Sequence, residues 1–361
     1  MRVGFDAKRA FLNHTGLGNY SRGVIDLIAK HESVSSVFLY TPKNTDSIIS
    51  SEILNLEKVT VKTPPALLKG PLSSVWRSRL ITDELKKDNL DVFHGLSNEL
   101  PSGIEKVGMA SLVTIHDLIF LHYPEFYKAI DRKIYTAKVK HACSVATRII
   151  ATSQQTADDL VGLLEVDQSK ISVVYQGCDE RFENRMKKDE LEQVKNEYSL
   201  PEKFILSVGT IEPRKNAKVL VNALSLLDNT EVKLVLVGRK TDYATEVLKA
   251  ATSLGLSERV VILDNVSSQQ LPSIYQLATV FALPSLMEGF GIPVLEAMTS
   301  GVPVVVSEKS CLTEVCGKVG IAIDPNNPST IAKAINCILK NEGERQRMIA
   351  AGMERKNRFS Q

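Results

Sequence analysis

The chain reads as an α/β protein made of two doubly wound parallel-sheet domains, and three observations predict it. Its 361 residues exceed what one hydrophobic core ordinarily supports, so two domains of roughly 180 residues each are expected. Short apolar runs rich in β-branched residues alternate with helix-length segments along the whole chain, the pattern of parallel strands covered on both faces by crossover helices. Glycine turns follow several of these runs, where open parallel sheets place their ligands, beyond the carboxyl ends of the strands.

In the first half, strands are expected at 2–6, 37–40, 59–62, 92–94, 111–115, 148–151 and 171–174. The second half repeats the pattern at 204–208, 233–237, 260–263, 279–283 and 302–306. Between them, the polar segment 180–197, with the charged run 185–190, interrupts the strands and marks a crossing between domains. The boundary is expected near Arg181, giving domains 1–180 and 181–361. The duplication is architectural only, because no short repeat or low-complexity tract is visible.

Charge and cysteine usage exclude several classes. Residues 1–180 carry 21 Lys and Arg against 21 Asp and Glu, and residues 181–361 carry 23 against 21. Neither half is a basic module, so nucleic acid is not an expected partner. The start, Met1-Arg2-Val3-Gly4-Phe5-Asp6, reads as a strand rather than a cleavable leader, and no run of 18 apolar residues occurs. A cytoplasmic protein is expected, with the inner face of the cytoplasmic membrane as a further location. The five cysteines, Cys143, Cys178, Cys311, Cys316 and Cys337, are odd in number and lack C-x2-C spacing, which argues against a disulfide framework and a zinc site.

The stretch 284–298, P-S-L-M-E-G-F-G-I-P-V-L-E-A-M, carries the most chemistry. It sets Glu288 and Glu296 around a glycine-flanked turn between a strand and a helix. Pro293 suits the first helical position and Gly301 the stop, so a helix is predicted over 293–300. The backbone N–H groups of Gly289, Phe290 and Gly291, with the positive end of the helix dipole, form a site for phosphate oxygens. Carboxylates on either side would accept bonds from sugar or ribose hydroxyls. Read alone, Glu296 could equally serve the helix dipole and Glu288 be solvated.

The segment 206–216, L-S-V-G-T-I-E-P-R-K-N, supplies the context: a strand, a turn at Gly209, and the pair Arg214 and Lys215. A planar fork and a mobile point charge are complementary on a diphosphate, although such a pair is also an ordinary solvated helix face.

With these two segments the chain resembles the family-4-type retaining glycosyltransferases of GT-B fold, whose second domain carries G-x4-R-K-N and E-G-F-G-x-P-x-x-E-A segments at this separation. The resemblance extends through the first half, in Gly16-Leu17-Gly18-Asn19-Tyr20, Asp91-Val92-Phe93-His94, Val113-Thr114-Ile115-His116-Asp117 and Ala151-Thr152-Ser153. Within the family it is similar to the mannosyltransferases that build bacterial surface polysaccharides.

The resemblance implies two domains facing across a cleft and a role for each matching residue. Arg214 and Lys215 would stabilise the departing diphosphate, Glu288 would hold donor-sugar hydroxyls and Glu296 the ribose. The base would be read by backbone groups around Asn265 and Val266. His116 would lie beside the donor sugar at the reacting carbon, with Asp117 orienting it. Gly16 and Gly18 would form a loop near the donor phosphates, although a lone G-x-G is also an ordinary turn. The family also has a last helix returning to the first domain. Since 355–361 stops where it would begin, a truncated C-terminus is expected, with domain closure the property it affects.

No two aspartates stand two positions apart, so a D-x-D metal clamp is missing from the sequence and no metal or cofactor is expected. The reading is a retaining, metal-independent hexosyltransferase. It moves a sugar, mannose from GDP-mannose in preference to a UDP-hexose, to a glycan or lipid-linked glycan acceptor. Its alternatives are a sugar-nucleotide epimerase and a non-catalytic nucleotide-sugar-binding protein. On the acceptor side, 122–127 could line a site. Leu72, Val75, Trp76 and Leu80 with Arg77 and Arg79 read as an inward core stripe, or as a helix touching lipid headgroups.

Overall fold

The computed structural model describes residues 1–44 and 51–359. It divides into two compact units, Met1–Val174 and Tyr175–Gln361.

The first unit is a seven-stranded sheet of β1 (Arg2–Asp6), β2 (Ser36–Tyr40), β3 (Val59–Lys62), β4 (Val92–Gly95), β5 (Ala110–Ile115), β6 (Arg148–Ala151) and β7 (Ile171–Val173). The order is β3-β2-β1-β4-β5-β6-β7, and all pairings are parallel. Strand periodicity sorts the side chains onto two faces. Val3, Phe5, Val37 and Leu39 enter one core with Ile25 and Phe11. Phe38, Tyr40, Phe93, Val113 and Ile115 enter the other with Trp76 and Val139.

The second unit repeats the design with six strands: β8 (Phe204–Val208), β9 (Lys233–Val237), β10 (Val260–Leu263), β11 (Val280–Leu283), β12 (Val304–Ser307) and β13 (Ile321–Ile323). The order is β10-β9-β8-β11-β12-β13. Leu234, Leu236, Val280 and Ala282 face one core, and Val235, Val237, Phe281 and Leu283 the other.

Several expectations are corrected. The units divide at Val174 and Tyr175, not near Arg181. β7 is the last strand of the first sheet, and the Tyr175 ring already packs on Phe290 at 5.9 Å and Phe359 at 5.4 Å. The charged crossing segment therefore belongs to the second unit, where it forms the helix Lys188–Glu197. β13 is an addition, a three-residue edge strand too short to show periodicity.

Gly16 and Gly18 do not form a loop directly after β1. The short helix Lys8–Leu12 intervenes, and both glycines lie in the first turn of the helix Gly16–Lys30. A Cβ at Gly18 would collide with the Asn13 carbonyl, whereas one at Gly16 would meet open space. Gly18 is thus explained by close packing of the chain onto itself.

Residues 72–80 are not a uniform inward stripe. Trp76 is 1 % exposed and donates its indole N–H to Glu84, 2.8 Å away, while Leu72, Val75 and Leu80 are 50 %, 41 % and 47 % exposed. At the C-terminus, the helix Glu342–Arg355 continues into a turn at Lys356–Phe359. Ser360 and Gln361, the end of the segment expected to be truncated, lie outside the described residues.

Candidate active site

Each sheet reverses its strand order once, between β8 and β11 in the second unit and between β1 and β4 in the first. Such reversals open a crevice at the carboxyl ends of the strands. Both sequence motifs of the second unit leave the sheet at its reversal.

After β8 the chain turns at Gly209 (φ 143°). A Cβ there would stand 3.1 Å from the Lys215 Cε, so glycine is what lets Lys215 fold back over the strand end. Asn216, in the left-handed conformation (φ 57°), donates its side-chain amide to the carbonyls of Pro325 at 2.7 Å and Pro284 at 3.3 Å. The Leu286 N–H donates to the Arg214 carbonyl at 2.9 Å. The loops after β8 and β11 are stitched together by these bonds.

Glu288 stands where they meet and is 8 % exposed. Its Oε1 lies 2.7 Å from Lys215 Nζ and its Oε2 2.8 Å from Arg214 Nη1. Arg214 also donates to the Met287 carbonyl at 2.7 Å, and its Nη2 reaches Glu212 at 2.7 Å. Burial works to raise the Glu288 carboxyl, but Arg214 and then Lys215 outweigh it and hold it at about 2. It is therefore ionised across the physiological range, and the two cations are balanced by two carboxylates.

The loop that continues through Gly289 is anchored from below. Phe290 is buried among Tyr175 and Phe359. The Cys311 Sγ donates to the carbonyls of Glu288 at 3.0 Å and Phe290 at 3.2 Å. Gly291 (φ 113°) turns the chain into the helix Ile292–Thr299, and a Cβ there would stand 2.5 Å from Leu312 Cδ2. The helix starts one residue earlier than expected, because Gly291 takes the cap position and Pro293 the second helical one.

Glu296 lies one turn into that helix, and the Tyr275 hydroxyl donates to it at 2.7 Å. Burial raises this carboxyl to about 7. The Tyr275 bond pulls the other way, and nearby Asp179 adds to the rise. Two carboxylates eight positions apart thus sit in opposite electrostatic settings. Lys215 lowers both and so lies within reach of both. Asn265 (φ 60°) forms the turn after β10, its N–H held by Asp264 at 3.1 Å, and Val266 packs on the same core as Phe290.

In the first unit His116 directly follows β5. Its Nε2 lies 2.9 Å from the Leu96 carbonyl, to which it must donate, leaving Nδ1 as an acceptor. Its own N–H is held by Asn98 at 2.9 Å, its carbonyl accepts from Thr152 and Thr156, and the Tyr20 ring meets it edge-on at 4.7 Å. Burial lowers its pKa to about 4, with the Leu96 bond opposing and Arg9 assisting, so the imidazole is neutral. The Asp117 carboxylate accepts from the Ile119 N–H at 3.1 Å, and the Leu96 carbonyl holds the ring through Nε2. Behind them, Tyr20 and His94 both bond Thr114, at 2.9 and 2.8 Å.

Residues 188–355 match the protein family described as Glycosyl transferases group 1, and residues 32–182 match Glycosyltransferase Family 4. The chain belongs to the family-4-type glycosyltransferases of GT-B fold.

The glycosyltransferase is 27% identical to O-antigen chain mannosyltransferase B of Escherichia coli over 368 residues, spanning 96% of this chain and 92% of that one. It is 29% identical to the serotype-specific mannosyltransferase WbdA of the same organism, covering 75% of this chain but only 34% of that longer protein. Among solved structures, Anabaena HepE in complex with UDP and glucose superposes with a TM-score of 0.77 at 18% identity, over 100% of this chain and 96% of that one. WaaG, a glycosyltransferase involved in lipopolysaccharide biosynthesis, superposes at 0.73 with 15% identity, over 99% and 95%.

In the second unit of this glycosyltransferase the fold brings Arg214, Lys215, Glu288 and Glu296 together. It also brings in residues without a local sequence signal. Tyr275 and Cys311 carry no local motif. Tyr20 and His94 stand inside the segments 16–20 and 91–94, but only the sheet shows that both hang on Thr114. Asp6, Arg77 and Glu99 form a buried chain of charge whose members lie 71 and 22 residues apart.

Proposed function

We propose that this glycosyltransferase moves a hexose, mannose from GDP-mannose, to a glycan or lipid-linked glycan acceptor in surface polysaccharide synthesis, with retention and without a metal ion. The observation that carries the reading is the pairing of Arg214 and Lys215, after β8, with the buried carboxylate of Glu288, after β11. Two preorganised cations at a strand-order reversal match the charge that develops on a departing nucleoside diphosphate. They take the part a metal plays elsewhere, in a sequence without a D-x-D clamp. Mannose and the polysaccharide setting rest on the names of the relatives above.

Each residue then has a chemical task. Arg214 and Lys215 trade part of their contact with Glu288 for phosphate oxygens. Glu288, ionised across the physiological range, orients them and keeps lone pairs for donor-sugar hydroxyls. Glu296 accepts from the ribose once its proton has left. The neutral His116, with Nε2 committed to Leu96, offers Nδ1 to a hydroxyl of the donor sugar.

A peripheral membrane contact fits this setting. Leu67, Leu72, Val75 and Leu80 are exposed on one short segment, Leu67 by 90 %, beside the exposed cations Lys69 and Arg79. Apolar side chains flanked by Lys and Arg suit an anionic bilayer surface. Among the described residues no helix is long and apolar enough to cross a membrane. Sedimentation with vesicles containing an anionic phospholipid, using wild type and Leu67→Glu with Leu72→Glu, tests this contact.

For the reaction itself, the test is nucleotide release from a panel of GDP- and UDP-sugars, with EDTA present and a lipid-glycan extract added or omitted. Acceptor-dependent GDP release from GDP-mannose is expected. An altered sugar nucleotide formed without acceptor would move the assignment to an epimerase, and donor binding without turnover to a binding protein.

A further inference from the structure

The carboxyl end of β1 carries more positive charge than the described side chains neutralise. Asp6, the last residue of β1, pairs with the buried Arg77. The other Arg77 nitrogen pairs with Glu99 at 2.5 Å, and Glu99 also takes Lys138 at 3.0 Å. Two carboxylates thus meet two cations and cancel. Lys8 and Arg9, the next charged residues after Asp6, remain. Both are partly buried, and among the described residues neither side chain has an ion-pair or hydrogen-bond partner.

Lys8 lies within electrostatic reach of Arg77, Arg9, Asp6 and Glu99. Burial first, then Arg77 and Arg9, work to strip its proton, while Glu99 and Asp6 oppose them. Arg9 in turn acts on the imidazole of His116. Removing cations from water without a counter-charge is unfavourable. A place that holds two of them, next to a strand-order reversal and near the candidate catalytic histidine, is prepared for an anion.

We propose that Lys8 and Arg9 form an anion-binding site on the first unit that takes a phosphate or diphosphate group of a substrate. A mobile point charge beside a planar fork suits a doubly charged group better than a single carboxylate. Which substrate brings the group rests on the transferase reading above, since both a nucleotide-sugar donor and a lipid-diphosphate acceptor carry one.

The experiment has two arms. In the first, inorganic pyrophosphate is titrated calorimetrically into the full chain carrying Arg214→Gln and Lys215→Gln, which silences the second unit's cations. Adding Lys8→Gln and Arg9→Gln should weaken binding at least tenfold, and Lys8→Arg with Arg9→Lys should restore it. In the second, KM is measured with the native second unit for the sugar-nucleotide donor, for a diphosphate-linked glycan acceptor and for the same glycan without phosphate. A tenfold rise confined to the diphosphate-linked acceptor assigns the site to the acceptor, and a rise confined to the donor assigns it to the donor. Pyrophosphate affinity and all three KM values unchanged, with an unaltered thermal midpoint, would overturn the proposal. If wild type transfers no sugar, the transferase reading fails while the pyrophosphate titration still judges the site.

Discussion

The Tyr275 hydroxyl donates a 2.7 Å hydrogen bond to Glu296, joining the helix Leu271–Leu277 to the helix Ile292–Thr299. Burial raises the carboxyl to about 7 from an ordinary 4.5, so its ionisation is coupled to whatever binds it. If Glu296 holds the ribose as a carboxylate, donor KM should be constant above pH 7. It should rise about tenfold per pH unit below that. Glu296→Gln should raise KM at pH 8 and flatten the profile. A donor KM that ignores pH in wild type contradicts the role.

The same shift has a sign for stability. The folded protein holds the Glu296 proton more tightly than the unfolded chain, so this contribution is fully present below 4.5 and lost as pH rises to about 7. Glu296→Gln, which cannot ionise, should therefore raise the thermal midpoint at pH 8 more than at pH 4.5. Equal effects at both pH values would place the carboxyl in a wetter setting than the fold describes.

Glu288 has the opposite sign. Held at about 2 against an ordinary 4.5, its contribution to stability is present above 4.5 and lost as pH falls toward 2. Glu288→Ala leaves Arg214 and Lys215 without their counter-charge, and transfer should fall at least tenfold, about 1.4 kcal/mol in the transition state. Glu288→Gln keeps the shape but not the charge and should also lose activity. Wild-type kcat/KM in either variant would remove Glu288 from the site.

His116 is neutral at physiological pH because its burial holds the imidazole at about 4. With donor saturating, kcat should show no histidine titration near 6.5, and His116→Ala should reduce kcat rather than change donor KM alone. An inflection of kcat near 6.5 that disappears in the variant would mean that the ring titrates as an exposed one does.

Gly16 and Gly18 separate packing from chemistry. Gly18→Ala forces a Cβ into the Asn13 carbonyl and should cost about 1–3 kcal/mol of stability. Gly16→Ala meets open space and should leave stability unchanged or slightly improved. If the first turn of that helix approaches donor phosphates, Gly16→Ala should nonetheless lower transfer. Undiminished transfer would leave Gly16 with no part in binding.

The amino-acid sequence by itself determined the two parallel sheets, most strand limits, and the two motif segments of the second unit. These depend on local physics: alternation of apolar residues along a strand, glycine at turns, a proline inside a helix start and a glycine after its end. Tertiary structure decided what is not local. Arg214 and Glu288 are 74 residues apart and meet only because β11 is laid beside β8. That neighbourhood turns two expected diphosphate ligands and an expected sugar ligand into one closed set of ion pairs. Tyr275 and Glu296 meet across two packed helices, and Arg77 is buried against Asp6 from another part of the chain. In 72–80 the apolar spacing suggests a common inward face, yet of Leu72, Val75, Trp76 and Leu80, Trp76 alone is buried. Periodicity tells a segment which shape to take. Which charges neutralise one another depends on the order in which the strands are assembled.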